Sequence, residues 1–193
     1  MVNIIRRYST IVHPGYVVGN YYSTWEDHPA NAAIPAADVL YFYPWRLDHR
    51  ITIKSFHLRT GTGGAASAVK SGLWADSPVS HRPLGAPLIA DNTGVATTGN
   101  NTTTSADITD TAVGPGWYWF GSKATGTLPT TFSVPVNHNY MGFYFGTDST
   151  PGPLVVNNYS IADTYADALP TIAEGASFTE VTTGGVPIVH IGV

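Results

Sequence analysis

The chain has 193 residues, 43% of them hydrophobic and 12% aromatic, which is enough apolar surface to build a core and excludes a wholly disordered chain. Charged residues make up only 11%, where about 25% is ordinary, and the absence of cysteine removes disulfides, thiolate chemistry and Cys-ligated zinc. The net charge is −4, and of the basic residues only Arg6 and Arg7 are adjacent, so the clustered cations that neutralise phosphates are missing and no nucleic-acid partner is expected.

Turn formers and small polar residues replace the usual charges, with 20 Gly and 14 Pro beside many Thr, a composition that favours short strands and tight turns over solvated helices. A weakly charged surface is also easily buried against a neighbour, because few ions need desolvating. The start, Met1 to Arg7, has no apolar h-region, and no run of about 18 apolar residues occurs. Neither a signal peptide nor membrane insertion is expected. The sequons at Asn100, Asn101 and Asn158 then read as ordinary polar loops.

Residues 1–37 read as an irregular N-terminal arm, with turn signals at His13-Pro14-Gly15 and Gly19-Asn20. The domain proper is expected over 38–193. Strand signals begin at Leu40 to Tyr43 and continue through Arg50 to Lys54, where apolar and polar residues alternate. Phe56 and Leu58 then carry the apolar phase onto the other parity, which predicts a bulge near Lys54 and Ser55. Ala68 to Ala75 and Leu88 to Ala90 read as two strands around a long Pro- and Gly-rich loop, and residues 97–105 as an exposed polar tip. Gly114-Pro115-Gly116 launches the aromatic strand Trp117 to Phe120, followed by Thr130 to Val136 and Tyr140 to Phe145. Ile161 to Leu169 is the one helix-like piece, stopped by Pro170, and a last strand runs from Val186 to Val193. Eight or nine strands without a repeat predict an all-β chain, an antiparallel β-sandwich. A jelly-roll-like winding is preferred to the immunoglobulin type, since no Cys and Trp pattern is present.

No nucleophile elbow, zinc-protease, phosphate-loop or dinucleotide motif occurs. The seven His are scattered without paired metal-ligand spacing, and adjacent pairs such as Asp48-His49 or Asp27-His28 point to opposite strand faces. No catalytic residue, metal or other cofactor is expected. The aromatics Tyr21, Tyr22 and Trp25 lie in the arm, where packing does not require them, and are candidate ligand-binding residues. Trp74, Trp117 and Trp119 fall in strand-like runs and are expected in the core. Ile4, Ile5, Arg6, Arg7 and Tyr8 precede every strand of the sandwich and are the candidate assembly interface, since their apolar surface needs a cover.

Four stretches together resemble phage virion proteins of the tail-fibre, receptor-binding or head-fibre type: Ala37 to Pro44; Ser71 to Asp76 with Gly85 to Leu88; Gly114 to Trp119; and Gly185 to Val189. Their order is similar across most of residues 14–193. The resemblance implies a trimeric β-sandwich head domain without cofactors or catalysis. It would be made in the host cytoplasm and carried on the virion surface, with other virion proteins and a host-surface glycan or protein as partners. The longer insertion from His81 to Pro87 and the basic-free stretch after Lys123 depart from that pattern. A capsid or tail decoration protein without a host ligand is the nearest alternative. A polysaccharide-cleaving sandwich enzyme is another, with its acid and base drawn from Glu26, Asp76, Asp107 and Asp110.

Overall fold

The computed structural model describes residues 15–24, 30–135, 158–181 and 184–193. Alternating apolar residues drive the middle of the chain into long strands: β3 (Val39–Leu47), β4 (Ile51–Arg59), β5 (Ala68–Asp76), β6 (Pro83–Ala96), β7 (Thr103–Val113) and β8 (Gly116–Thr125). Shorter strands flank them, β1 (Tyr21–Ser23) and β2 (Ala30–Ala33) before, and β9 (Thr130–Pro135), β10 (Tyr159–Ala162), β11 (Thr179–Glu180), β12 (Gly185–Pro187) and β13 (His190–Gly192) after. Every pairing is antiparallel, in sheets ordered β11-β10-β3-β8-β5-β6, β1-β13-β4-β7 and β12-β9-β2. The chain is an antiparallel β-sandwich. Strand pairs β3·β8, β4·β7 and β5·β6 nest inside one another, and β8 also pairs with β5. This is the winding of a jelly roll, with three nested pairs.

The main core lies between the six-stranded sheet and the other two. Tyr41, Tyr43, Trp45 and Leu47 of β3 enter it on one parity, and Val69 and Leu73 of β5 join them. Phe120 sits at its centre, stacked on Tyr43 with ring centroids 5.7 Å apart and meeting Trp45 at 5.2 Å and Phe56 at 5.8 Å. From the facing sheets come Ile51, Ile53, Phe56, Leu58, Val186 and Ile191. Each such side chain, fully buried, stabilises the fold by about 1.5–3 kcal/mol. β4 can bury both Ile53 and Phe56 because its register against β7 shifts between Ile53 and Ser55, where the change of parity called for a bulge.

A second apolar cluster covers the opposite face of the six-stranded sheet, with Leu40, Phe42, Trp74, Trp119 and Tyr159 beneath Leu169 and Ile172. The cover is the stretch 163–178, a strap without helix or long strand. Polar bonds hold it down. Lys123 Nζ donates to Asp163 Oδ2 at 2.6 Å and to the carbonyls of Thr164 and Asp167 at 2.8 and 3.0 Å. Lys70 Nζ donates to the carbonyls of Tyr165 and Asp167 at 2.8 and 3.0 Å, and Trp74 Nε1 to that of Pro170 at 3.2 Å.

Several expectations need correcting. The helix expected over Ile161 to Leu169 is absent: Ile161 and Ala162 end β10, and the residues after them turn their carbonyls onto the two lysines. Part of the arm is not irregular, since Tyr21–Ser23 pairs with β13 and Ala30–Ala33 with β9. The long loop after β5 is a turn of six residues, 77–82, because Pro83 and Pro87 lie inside β6, an edge strand that tolerates missing N–H groups. The last strand is two short ones in different sheets. Trp74 and Trp119 are buried, whereas Trp117 is half-exposed under the Arg46 guanidinium, 5.9 Å away. The strand expected over Tyr140 to Phe145 lies outside the described residues.

Candidate functional site

The outer face of the four-stranded sheet gathers groups that the sequence keeps far apart. On β4 the bulge turns Ser55, His57 and Arg59 outward, opposite in parity to Phe56 and Leu58. Strand β13 then sets His190 directly across from His57 and Gly192 across from Ser55, while β1 places Tyr21 across from Gly192. On the other side of β4, Asp107 of β7 faces Ser55. Gly192 supplies the hollow: a Cβ there would strike Ser55 Oγ and lie 3.2 Å from His57 Nε2 and 3.3 Å from Tyr21 Cε1. The Tyr21 ring fills that hollow from above, its centroid 4.4 Å from that of His57 at an interplanar angle of 70°, with 68% of the residue still exposed.

The electrostatics keep the imidazoles neutral. Burial lowers the His57 pKa and the Asp107 carboxylate opposes that shift in part. For His190 burial, the neighbouring His57 and the Arg59 guanidinium all act downward. Ser55 Oγ and His57 Nε2 are 2.8 Å apart, within reach of a nucleophile and its base. On β4 these residues are held from both sides, by β13 over Ser55 to His57 and by β7. The arrangement suits recognition: an exposed ring, neutral imidazoles and a hydroxyl on a rigid surface.

Beside it, Val17 and Val18 are 60% and 77% exposed on the turn that leads into β1. The turn is fixed by Gly19 N–H donating to Val193 O at 2.8 Å. With Tyr21 they form an apolar strip at the sheet edge.

Of the aromatic candidates, Tyr21 is presented to solvent. Tyr22 is half-buried and turns the other way: it packs edge-on against Tyr16 at 4.7 Å and accepts the Val17 N–H at 2.7 Å. Trp25 and the proposed assembly residues Ile4, Ile5, Arg6, Arg7 and Tyr8 lie outside the described residues, as does Glu26. Of the other carboxylates named as a possible acid and base, Asp76 lies on one sheet and Asp107 and Asp110 on another. Asp76, on the outer face of the six-stranded sheet, accepts Trp119 Nε1 at 2.7 Å and sits 3.0 Å from His81 Nδ1, while Asp107 and Asp110 belong to β7 of the other sheet. Among the described residues no group of three or more His, Asp or Glu is placed to hold a metal, and no helix is long and apolar enough to cross a membrane.

The chain matches no family model, no curated protein and no solved structure. His57 and His190 stand far apart in the sequence and meet only across the β4–β13 ladder. The only trace of this pairing in the sequence is that each stands one residue from a core position, Phe56 or Leu58 and Ile191, and so faces outward if those face inward.

Proposed function

We propose that the chain is a non-catalytic structural module of a tailed phage or phage-like particle, a fibre or spike head domain that mediates assembly and host-surface adhesion. The observation that carries the reading is the apolar strip of Val17, Val18 and Tyr21 beside the neutral histidine pair, an exposed surface that gains by being covered. The low charge supports it further. Lys70 and Lys123 are turned inward onto the strap, so the surface carries still fewer cations than the composition indicates, and little desolvation opposes contact with a neighbour.

The assembly is a homotrimer contacted in part by residues 1–12. Light scattering tests this directly: the intact chain should run at three times its monomer mass at micromolar concentration. Deletion of residues 1–12 and, separately, Tyr21→Ser should weaken association or attachment to particles while the β signature and cooperative unfolding persist. A monomer that also loads onto particles normally without its first twelve residues overturns the reading.

A further inference from the structure

The turn between β5 and β6 meets the strap at a cleft of about 480 Å3, within the range of about 300–1,000 Å3 typical of ligand pockets. Ser80, Arg82 and Pro83 line one side, and Glu174, Ser177 and Phe178 are on the other. Both walls are pinned before any ligand arrives. Ser77 Oγ donates to Glu174 Oε2 at 2.8 Å, Ser77 N–H donates to Arg82 O at 2.9 Å, and Gly85 and Ile172 exchange two backbone bonds of 2.8 and 2.9 Å. The Arg82 guanidinium lies over the rings of Tyr159 and Phe178, 4.6 and 5.8 Å from their centroids, which fixes its plane. A cleft ordered in advance avoids the entropy loss of ordering its side chains on binding.

The lining selects the ligand. An anion would meet Arg82 and be repelled by Glu174, and a cation the reverse. A neutral ring bearing several hydroxyls satisfies both: it donates to the carboxylate, whose Oε1 has no partner among the described residues, and it accepts from the guanidinium. Ser80 and Ser177 supply hydroxyls that serve in either role, while half-buried Phe178 offers apolar surface to the carbon face of the ring. We propose that this cleft binds a neutral saccharide. The proposal rests on the adhesion reading above and gives it a ligand class and a place, on the opposite side of the sandwich from Tyr21.

The test is a glycan array of neutral and acidic saccharides probed with the labelled full chain. Calorimetric titration of the best-bound saccharide follows, for the native sequence and for Glu174→Gln, Arg82→Lys and, as a control on exposed Thr52 of β4, Thr52→Ser, each first shown to unfold cooperatively. Glu174→Gln keeps an oxygen for Ser77 and leaves the wall in place. Binding to neutral saccharides that falls about tenfold or more in Glu174→Gln and Arg82→Lys, the loss of one charged hydrogen bond, and is unchanged in Thr52→Ser supports the assignment. Binding restricted to acidic saccharides, binding unchanged in Glu174→Gln, or an array with nothing bound overturns it. Adhesion of the same labelled chain to host cells separates the two proposals. Adhesion retained in Glu174→Gln leaves the general reading standing without this cleft, and no adhesion by the native chain removes both.

Discussion

Lys70 and Lys123 stand directly opposite one another on neighbouring strands, β5 and β8, on the face of the sheet that the strap covers. Like charges so placed ordinarily destabilise a sheet. Here the strap compensates, bringing the Asp163 carboxylate to Lys123 and sharing the Asp167 carbonyl between both ammonium groups.

Lys123→Met should therefore destabilise the protein by about 3–5 kcal/mol, the usual cost of stranding the partner of a buried ion pair. The Asp163 carboxylate and the carbonyls of Thr164, Asp167 and Ala168 would all lose a donor. Urea unfolding measures the loss, and limited proteolysis should show new cleavage within 163–178. A melt unchanged from the native one contradicts the clamp.

Tyr43→Phe probes the junction of the two chain ends. The buried Tyr43 hydroxyl accepts the Val189 N–H at 2.9 Å and is bonded to Thr24 Oγ1, and burial raises its pKa so that it stays neutral. Removing it leaves the Val189 N–H without that acceptor in the interior, at a cost of about 1–3 kcal/mol. Denaturant melts should show the midpoint falling with an unchanged slope.

Gly121→Ala tests packing under the strap. A Cβ at this position would lie 2.6 Å from Trp74 Cζ3 and 2.8 Å from Phe42 Cε1, two rings locked in the second core. Overpacking of this kind costs about 1–3 kcal/mol, seen as a lower Tm by calorimetry.

The histidine pair makes stability depend on pH. Both imidazoles have folded-state pKa values below the ordinary 6.5. The unfolded chain therefore takes up protons first as pH falls, so the contribution is complete above about 6.5 and declines below it. Unfolding free energy should drop as pH falls below about 6.5, and His190→Gln should flatten that drop. An equal drop in the variant would assign it to other groups.

The strands were legible where one parity dominates, and the change of parity at Lys54 and Ser55 even located the bulge. Legibility failed where tertiary bonds outweigh local preference. Ile161 to Leu169 resembles a helix by spacing, but Lys70 and Lys123 capture its carbonyls, and nothing near the segment announces distant lysines. Pro83 and Pro87 signal a loop until β6 is known to be an edge strand. The exposure of Tyr21 was legible from its position outside the strong strand signals, whereas the histidine pair depends on β13 meeting β4, a long-range pairing that no local pattern encodes.

The inward turn of two lysines also sets the chain's chemical reactivity. Of its three lysines, only half-buried Lys54 presents an amine outside the strap's bonds. An amine-reactive dye applied to the folded protein should label Lys54 in preference to Lys70 and Lys123, so a fluorophore or surface linker can be attached on the Tyr21 side of the sandwich with the saccharide cleft left clear. Labelling of Lys70 or Lys123 would then report, residue by residue, each time the strap lifts.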